Sequence, residues 1–358
     1  MQTQAFYIWP PSTSPLSTWP PSTVSPMEQR MLEAAPPALQ AVKEPVLARL
    51  AEVEAAIGRM VPAGYEATDA VSEYILSLQG KLFRPTLLLL SNGVGDDPSP
   101  QAIQLAAVVE LIHVATLVHD DAVDHSARRR GLPTVNARFS HQVSIIMGDY
   151  LYSRAVMEVA KIGNVSAIHL LAHAANRMTV GEMRQLMSHD TLLFSEEDYY
   201  LLCQCKTAAL MAAACELGGM FGAGFTREPL RDFGFHLGMA FQITDDLLDY
   251  TVPADVTGKP SGQDLREHKV TLPLIAALQE MDAADRTVVR QLFVDPEPAE
   301  DAVRDVMIAV DQNGGLEYAR SMAQEFGDRA RANLEELPAD SCREALDAAV
   351  DFVTQRQS

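Results

Sequence analysis

The sequence predicts an all-α protein built as a single large helical bundle, and three observations carry that prediction. Segments with helical apolar spacing follow one another from about Met27 to the end, divided by short Gly, Pro, Asp or Asn punctuation. Ala, Leu, Met, Glu and Arg, all good helix formers, recur throughout. Strand-like alternation of β-branched residues is almost absent. Apolar residues make up 47% of the 358 residues, enough for a substantial core.

Residues 1–26 differ in kind. Trp9-Pro10-Pro11-Ser12-Thr13 recurs as Trp19-Pro20-Pro21-Ser22-Thr23 within a Pro/Ser/Thr-rich stretch, which predicts a disordered tail rather than a helix. No basic residue occurs before Arg30, so the pattern of a signal or transit peptide is missing. The tail is either dispensable or sequence upstream of a true start at Met27, with a docking peptide as a third reading. One domain is expected over residues 27–358. Breaks fall near Pro36-Pro37, Pro62 to Gly64, Gly93 to Pro100, Gly131 to Pro133, Gly163-Asn164, Thr226 to Pro229, Val252 to Gly262 and Asp295 to Pro298. Roughly a dozen helices lie between them.

The formal charge of −20 argues against a nucleic-acid partner, since phosphate backbones demand clustered Lys and Arg. Cys203, Cys205, Cys215 and Cys342 match no zinc or disulfide framework, which predicts free thiols in a reducing, cytoplasmic compartment. No run approaches the ~20 apolar residues of a membrane span, so no transmembrane segment is expected.

The chemistry is concentrated in two aspartate clusters. Asp120-Asp121-Ala122-Val123-Asp124 ends the apolar run Val108 to Val118. On a helix, Asp120 and Asp124 share one face a turn apart, and at a C-terminal end the helix dipole adds to their repulsion. Asp245-Asp246-Leu247-Leu248-Asp249 repeats the spacing after Phe235 to Ile243. One such cluster also fits a solvated helix terminus; two copies of Asp-Asp-x-x-Asp point to bound divalent cations. Carboxylates without His or Cys favour magnesium or manganese, and magnesium prefers one or two carboxylates completed by substrate phosphates.

Cations answer these clusters. Lys81 and Arg84 lie in Gly80-Lys81-Leu82-Phe83-Arg84-Pro85, where a loop should enter a helix. Arg128-Arg129-Arg130 follows the first cluster, Lys206-Thr207 interrupts an apolar helix, and Lys259 and Lys269 follow the second. His113 lies two turns before Asp120. Each alone is as readily a solvated charge, a snorkelling lysine or a core histidine. Together they describe a site for two polyphosphate groups, one held through metals and one by direct cation contact.

On these motifs, together with Glu110 to Asn136, Gly148 to Ala155, Gly181 to Gln185, Phe241 to Tyr250 and Gly258 to Pro273, the chain closely resembles the trans-isoprenyl (all-E polyprenyl) diphosphate synthases, and among them the octaprenyl type. The resemblance implies a helical bundle of the isoprenyl synthase type with a central active-site cavity. It implies condensation of isopentenyl diphosphate with an allylic diphosphate, about three magnesium ions, and a homodimer. It makes Asp120, Asp124 and Asp245 direct metal ligands, supported by Asp121, Asp246 and Asp249. Arg129, Lys206 and Lys259 would contact the allylic diphosphate, and Lys81, Arg84, His113 and Arg130 the isopentenyl diphosphate. Thr207, Gln242 and Lys269 match further positions lining the site. Gln79 and Phe83 depart from commoner small or aliphatic residues, and His268 stands where Gly usually precedes the lysine.

Ala115 and Thr116, the fifth and fourth residues before Asp120, are small where short-product relatives carry bulky aromatics. A long, octaprenyl-like product is therefore expected. Ile112, Leu111 and Val108, with Tyr152 or Met157 from the neighbouring helix, are the expected tunnel floor. Two rivals remain: a terpene cyclase, which generally carries an Asn/Ser/Glu-type second metal motif, and a non-catalytic partner subunit, which usually loses metal ligands. Here both clusters and Lys81, Arg84 and Arg130 are kept.

Overall fold

A computed structural model describes residues 36–78, 80–95, 98–129, 131–186, 191–223, 226–251 and 261–356. The tail 1–26, its boundary at Met27, Gln79, Arg130 and Lys259 lie outside the described residues.

The described chain is helical almost throughout. Helices α1 (Pro37–Lys43), α2 (Leu47–Met60) and α3 (Glu66–Ser77) lead to α4 (Phe83–Gly93) and the long α5 (Gln101–Val123). A two-residue antiparallel pairing, Arg128–Arg129 with Leu132–Pro133, turns the chain toward α6 (His141–Ile162) and α7 (Val165–Leu186). Next come α8 (Glu196–Phe221), α9 (Arg227–Thr251), α10 (Leu272–Glu280), α11 (Ala283–Val294), α12 (Glu300–Gln312), α13 (Gly315–Ala332) and α14 (Ser341–Thr354). Starts and stops are chemical. Ser140, Ser195, Asp282 and Asp340 cap helix N-termini through their side chains. Gly163 closes α6 at φ 74°, where a glycine carries no Cβ penalty.

Helices α4, α5, α8 and α9 form the interior. Leu87, Leu88, Leu89 and Leu90 of α4 and Leu105 to Val109 of α5 are wholly buried, because neighbours surround these helices on every side. That also corrects the expectation about apolar runs. Both α5 and α8 are long and apolar enough to cross a membrane by length and composition, and both windows are mostly buried within the protein. Their hydropathy reflects a core environment.

Small residues bring backbones together around the site. A Cβ at Gly238 of α9 would lie 2.5 Å from Ala208 Cα, and one at Gly181 of α7 would lie 2.6 Å from Cys205 Cβ. Both press against Gln204–Ala208, a π-helical turn inside α8. Such turns add one residue to a helix and recur at functional sites. This one carries Lys206 and Thr207.

Helix α6 buries Met147, Leu151, Ala155 and Val159 against α5. Tyr152 and Met157 lie on its opposite, exposed face, 37% and 51% accessible. They point away from α5 within this chain, while Leu151, Ala155 and Val159 form the stripe that packs inward. Ile112, Leu111 and Val108 are buried as expected.

Candidate active site

The two aspartate clusters stand on α5 and α9. The first straddles the C-terminus of α5, with Asp124 as its C-cap. The second lies inside α9, which runs on past it to Thr251 rather than stopping there. Between them is a cavity of about 390 Å³ whose wall includes Asp124, Asp245, Asp246 and Asp249, together with Arg129, Lys206, Gln242 and Lys269.

The six carboxylates fall into two sets by their partners. Asp121 is buried and gripped by the Arg129 fork, with Nε 3.0 Å from each oxygen and Nη2 2.9 Å from Oδ1. Asp246 is buried and accepts from Tyr199 Oη at 2.6 Å and Gln242 Nε2 at 2.8 Å. Asp249 accepts from the backbone N–H groups of Gln263 at 3.0 Å and Asp264 at 2.9 Å. Protein donors thus fix three carboxylates. Among the described residues, Asp124 and Asp245 meet side-chain cations, Lys269 Nζ at 3.8 Å and Arg356 Nη2 at 2.8 Å. Asp120 sits in the field of Lys206, Glu182 and Arg129.

Burial dominates the electrostatics. It pushes the Asp120 carboxyl up to about 6, with Lys206 pulling the other way. It pushes Asp246 up to about 7, against the hydrogen bonds from Tyr199 and Gln242. Asp264 is raised well above its ordinary value by burial, then by Asp246 and Asp249. Dehydration opposes the Lys206 ammonium, but Glu182, 2.7 Å away, and Asp120 outweigh it and raise its pKa. Lys269 is raised likewise, burial being overcome by Glu267 at 2.6 Å and by Asp124. The site therefore gathers more negative charge than burial tolerates, with cations packed against it.

A polar chain ties the site together. Thr207 Oγ1 donates to Gln242 Oε1 at 2.6 Å, and Gln242 Nε2 donates to Asp246. Arg84 Nη1 and His113 Nε2 pair at 2.9 Å outside the cavity wall, with Lys81 exposed at the mouth of α4. Ala115 is buried and Thr116 half-buried, its hydroxyl donating to His113 O at 2.8 Å.

The non-glycine residues with positive φ among those described, Leu82 (47°), His125 (51°) and His268 (53°), each adjoin a site charge: Lys81, Asp124 and Lys269. Strained backbone of this kind persists where surroundings over-determine it. It also explains why glycine suits the position of His268: the chain is left-handed there, and the histidine accepts that strain.

Sequence reasoning missed Glu182, Tyr199, Asp264 and Arg356. Glu182 lay within the Gly181 to Gln185 span and Asp264 within Gly258 to Pro273, without a role. Tyr199 and Arg356 carried no local signal.

The donors fit magnesium. Among the described residues, no three His, Cys, Asp or Glu side chains converge as a self-sufficient metal site. The carboxylates left to side-chain cations are sparse hard oxygens, the set that suits an ion completing its shell with water and substrate phosphate. Paired acidic clusters facing a cation-lined cavity in an all-helical bundle define an enzyme of diphosphate esters assisted by divalent metal.

The comparisons narrow that class. Residues 66–310 match the polyprenyl synthetase family. The chain is 35% identical over 322 residues to octaprenyl diphosphate synthase of Escherichia coli K12, covering 89% of this chain and 99% of that one. It is 33% identical to heptaprenyl diphosphate synthase component 2 of Geobacillus stearothermophilus, covering 86% and 95%. The crystal structure of a polyprenyl synthase from Caulobacter crescentus CB15, complexed with calcium and isoprenyl diphosphate, superposes with a TM-score of 0.85 at 33% identity, covering 89% and 98%. The chain belongs to the polyprenyl synthetase family and is a prenyltransferase.

Proposed function

We propose that the protein condenses isopentenyl diphosphate with an allylic diphosphate, repeatedly, to a long all-trans polyprenyl diphosphate of about octaprenyl length, releasing diphosphate. The observation that carries this reading is the division of the six aspartates. Asp121, Asp246 and Asp249 are locked by protein donors, leaving Asp120, Asp124 and Asp245 for about three magnesium ions. Bound, those ions supply the positive charge that makes the allylic diphosphate a leaving group.

The chain's own residues do the rest. Lys206, Arg129 and Lys259 take diphosphate oxygens, Lys206 exchanging its contact with Glu182 for the substrate. The Thr207–Gln242–Asp246 chain holds α8 and α9 in register so that Lys206 faces the cavity. Lys81, Arg84, His113 and Arg130 hold isopentenyl diphosphate with its double bond toward the allylic carbon. The allylic C–O bond breaks first, giving an allylic cation and free diphosphate; the isopentenyl double bond then attacks the cation, and the departed diphosphate accepts the proton whose loss restores an alkene. Apolar walls keep water from the cationic carbon. Small Ala115 and Thr116 leave room for the growing chain to pass toward Ile112, Leu111 and Val108.

The protein acts as a homodimer in the cytoplasm. Ile145, Ile146, Tyr152, Val156 and Met157 of α6 and Val180, Met183 and Leu186 of α7 expose apolar surface of the kind that marks an interface. No disulfide joins the four cysteines, in keeping with a reducing compartment. A second reading, dependence on a non-identical subunit, is favoured by the relative whose name marks it as one component of a synthase.

The test is incubation of purified protein with farnesyl diphosphate, labelled isopentenyl diphosphate and magnesium, with products resolved by length. A ladder ending near eight units supports the reading, and a stop at three or four moves the floor up to Thr116. No incorporation with any primer refutes the chain as a self-sufficient synthase.

A further inference from the structure

The C-terminal Arg356 enters the site from 111 positions beyond Asp245. Its Nη2 lies 2.8 Å from Asp245 Oδ1 and its guanidinium sits 5.0 Å from the centroid of the Phe241 ring. The side chain is only 18% exposed, and it lines the cavity. Its Nε is buried with no acceptor among the described residues. A purely structural arginine at such burial satisfies its donors; this one is held by a single carboxylate and a ring face.

An aromatic run anchors that seat. Phe241 stacks on Phe83 at 5.8 Å, and Phe83 packs on Phe352 at 5.5 Å. Phe352 stands on α14, four residues before Arg356, while Phe83 lies between Lys81 and Arg84. The residue that departs from the family pattern thus links the Lys81–Arg84 loop, the second acidic cluster and the C-terminus.

We propose that Arg356 is a tethered counter-cation that competes with metal for Asp245 and is displaced when metal binds there, with Phe83, Phe241 and Phe352 as its seat. The inference rests on the proposed function insofar as Asp245 is a metal ligand. Guanidinium and metal at one carboxylate repel each other and draw on the same charge, so the two compete. The Asp245 contact neutralises a carboxylate that neighbours a buried one, Asp246.

The experiment measures Mn²⁺ binding to the full chain by the loss of the free-ion electron paramagnetic resonance signal, with thermal unfolding as the check on folding. Arg356→Gln binds Mn²⁺ alone about 3- to 10-fold more tightly than the wild type, the loss of a partly exposed ion pair and charge-assisted hydrogen bond. Arg356→Lys stays nearer the wild type, and Phe83→Leu, which loosens the seat while keeping the cation, moves affinity in the direction of Arg356→Gln by less. Equal or weaker binding by Arg356→Gln, with the wild type binding, overturns the latch alone. Failure of the wild type to bind Mn²⁺ even with inorganic diphosphate overturns the proposed function, and the latch with it.

Discussion

Tyr199→Phe removes one oxygen and tests how the second acidic cluster is kept ionised. In metal-free protein burial, helped by the neighbouring Asp245 charge, carries the Asp246 carboxyl up to about 7 despite donors from Tyr199 and Gln242. A hydrogen bond to a charged group contributes about 1.5–3 kcal/mol, so losing the Tyr199 donor raises the pH at which Asp246 ionises by about 1–2. The sign follows: the charged form exists above that pH and is lost as pH falls through it. The titration of that carboxyl in metal-free protein therefore moves up by the same amount, and at pH 7 the fraction ionised without metal drops about 5- to 50-fold. Phenylalanine fills the same buried space, so thermal unfolding at pH 9 stays within about 1–2 kcal/mol of the wild type. Carboxyl titration of the metal-free protein, followed by infrared difference spectroscopy, decides it. A titration unmoved by Tyr199→Phe would refute a role through Asp246 ionisation.

Asp120→Asn should abolish turnover at least about 100-fold with folding retained, since an amide is a poor magnesium ligand; incorporation assays with circular dichroism check it. Metal-free protein should become less stable as pH rises from about 4 to 7. The unfolded chain ionises Asp120 and Asp246 in the ordinary carboxylate range, but the folded one holds their protons to about 6 and about 7. Unfolding followed in chelator, then with magnesium and diphosphate, should show that slope flatten. Gly238→Ala places a methyl 2.5 Å from the Ala208 backbone and should cost about 1–3 kcal/mol, read from denaturant midpoints. Ala115→Phe should shorten the product ladder, and an unchanged distribution would remove Ala115 from the tunnel wall.

Local spacing made the aspartate clusters legible, because Asp-Asp-x-x-Asp writes its geometry into neighbouring positions on one helix. It could not separate the gripped carboxylates from the others. The partners of Asp246 and Asp245 come from Tyr199 and Arg356, which only folding brings near. His268 was visible as a departure, but its meaning, a left-handed backbone, belongs to the chain's path. Tyr152 and Met157 went wrong for a simpler reason: α6 carries apolar residues on both faces, and periodicity alone does not say which one packs on α5. Glu182 resembled any carboxylate on an amphipathic helix until the π turn set Lys206 beside it.

The absence of a self-sufficient metal cluster among the described residues has a consequence for how such a catalyst is switched on. A cage would charge itself once and keep its ion through dialysis, whatever the substrate supply. Sparse ligands give a coincidence requirement instead: ion and diphosphate each supply what the other lacks, and neither is retained well alone. Trace copper, which wins at nitrogen and sulfur sites, finds little foothold here. On the proposed function, the cation of the medium arms the site together with the allylic diphosphate it helps to ionise.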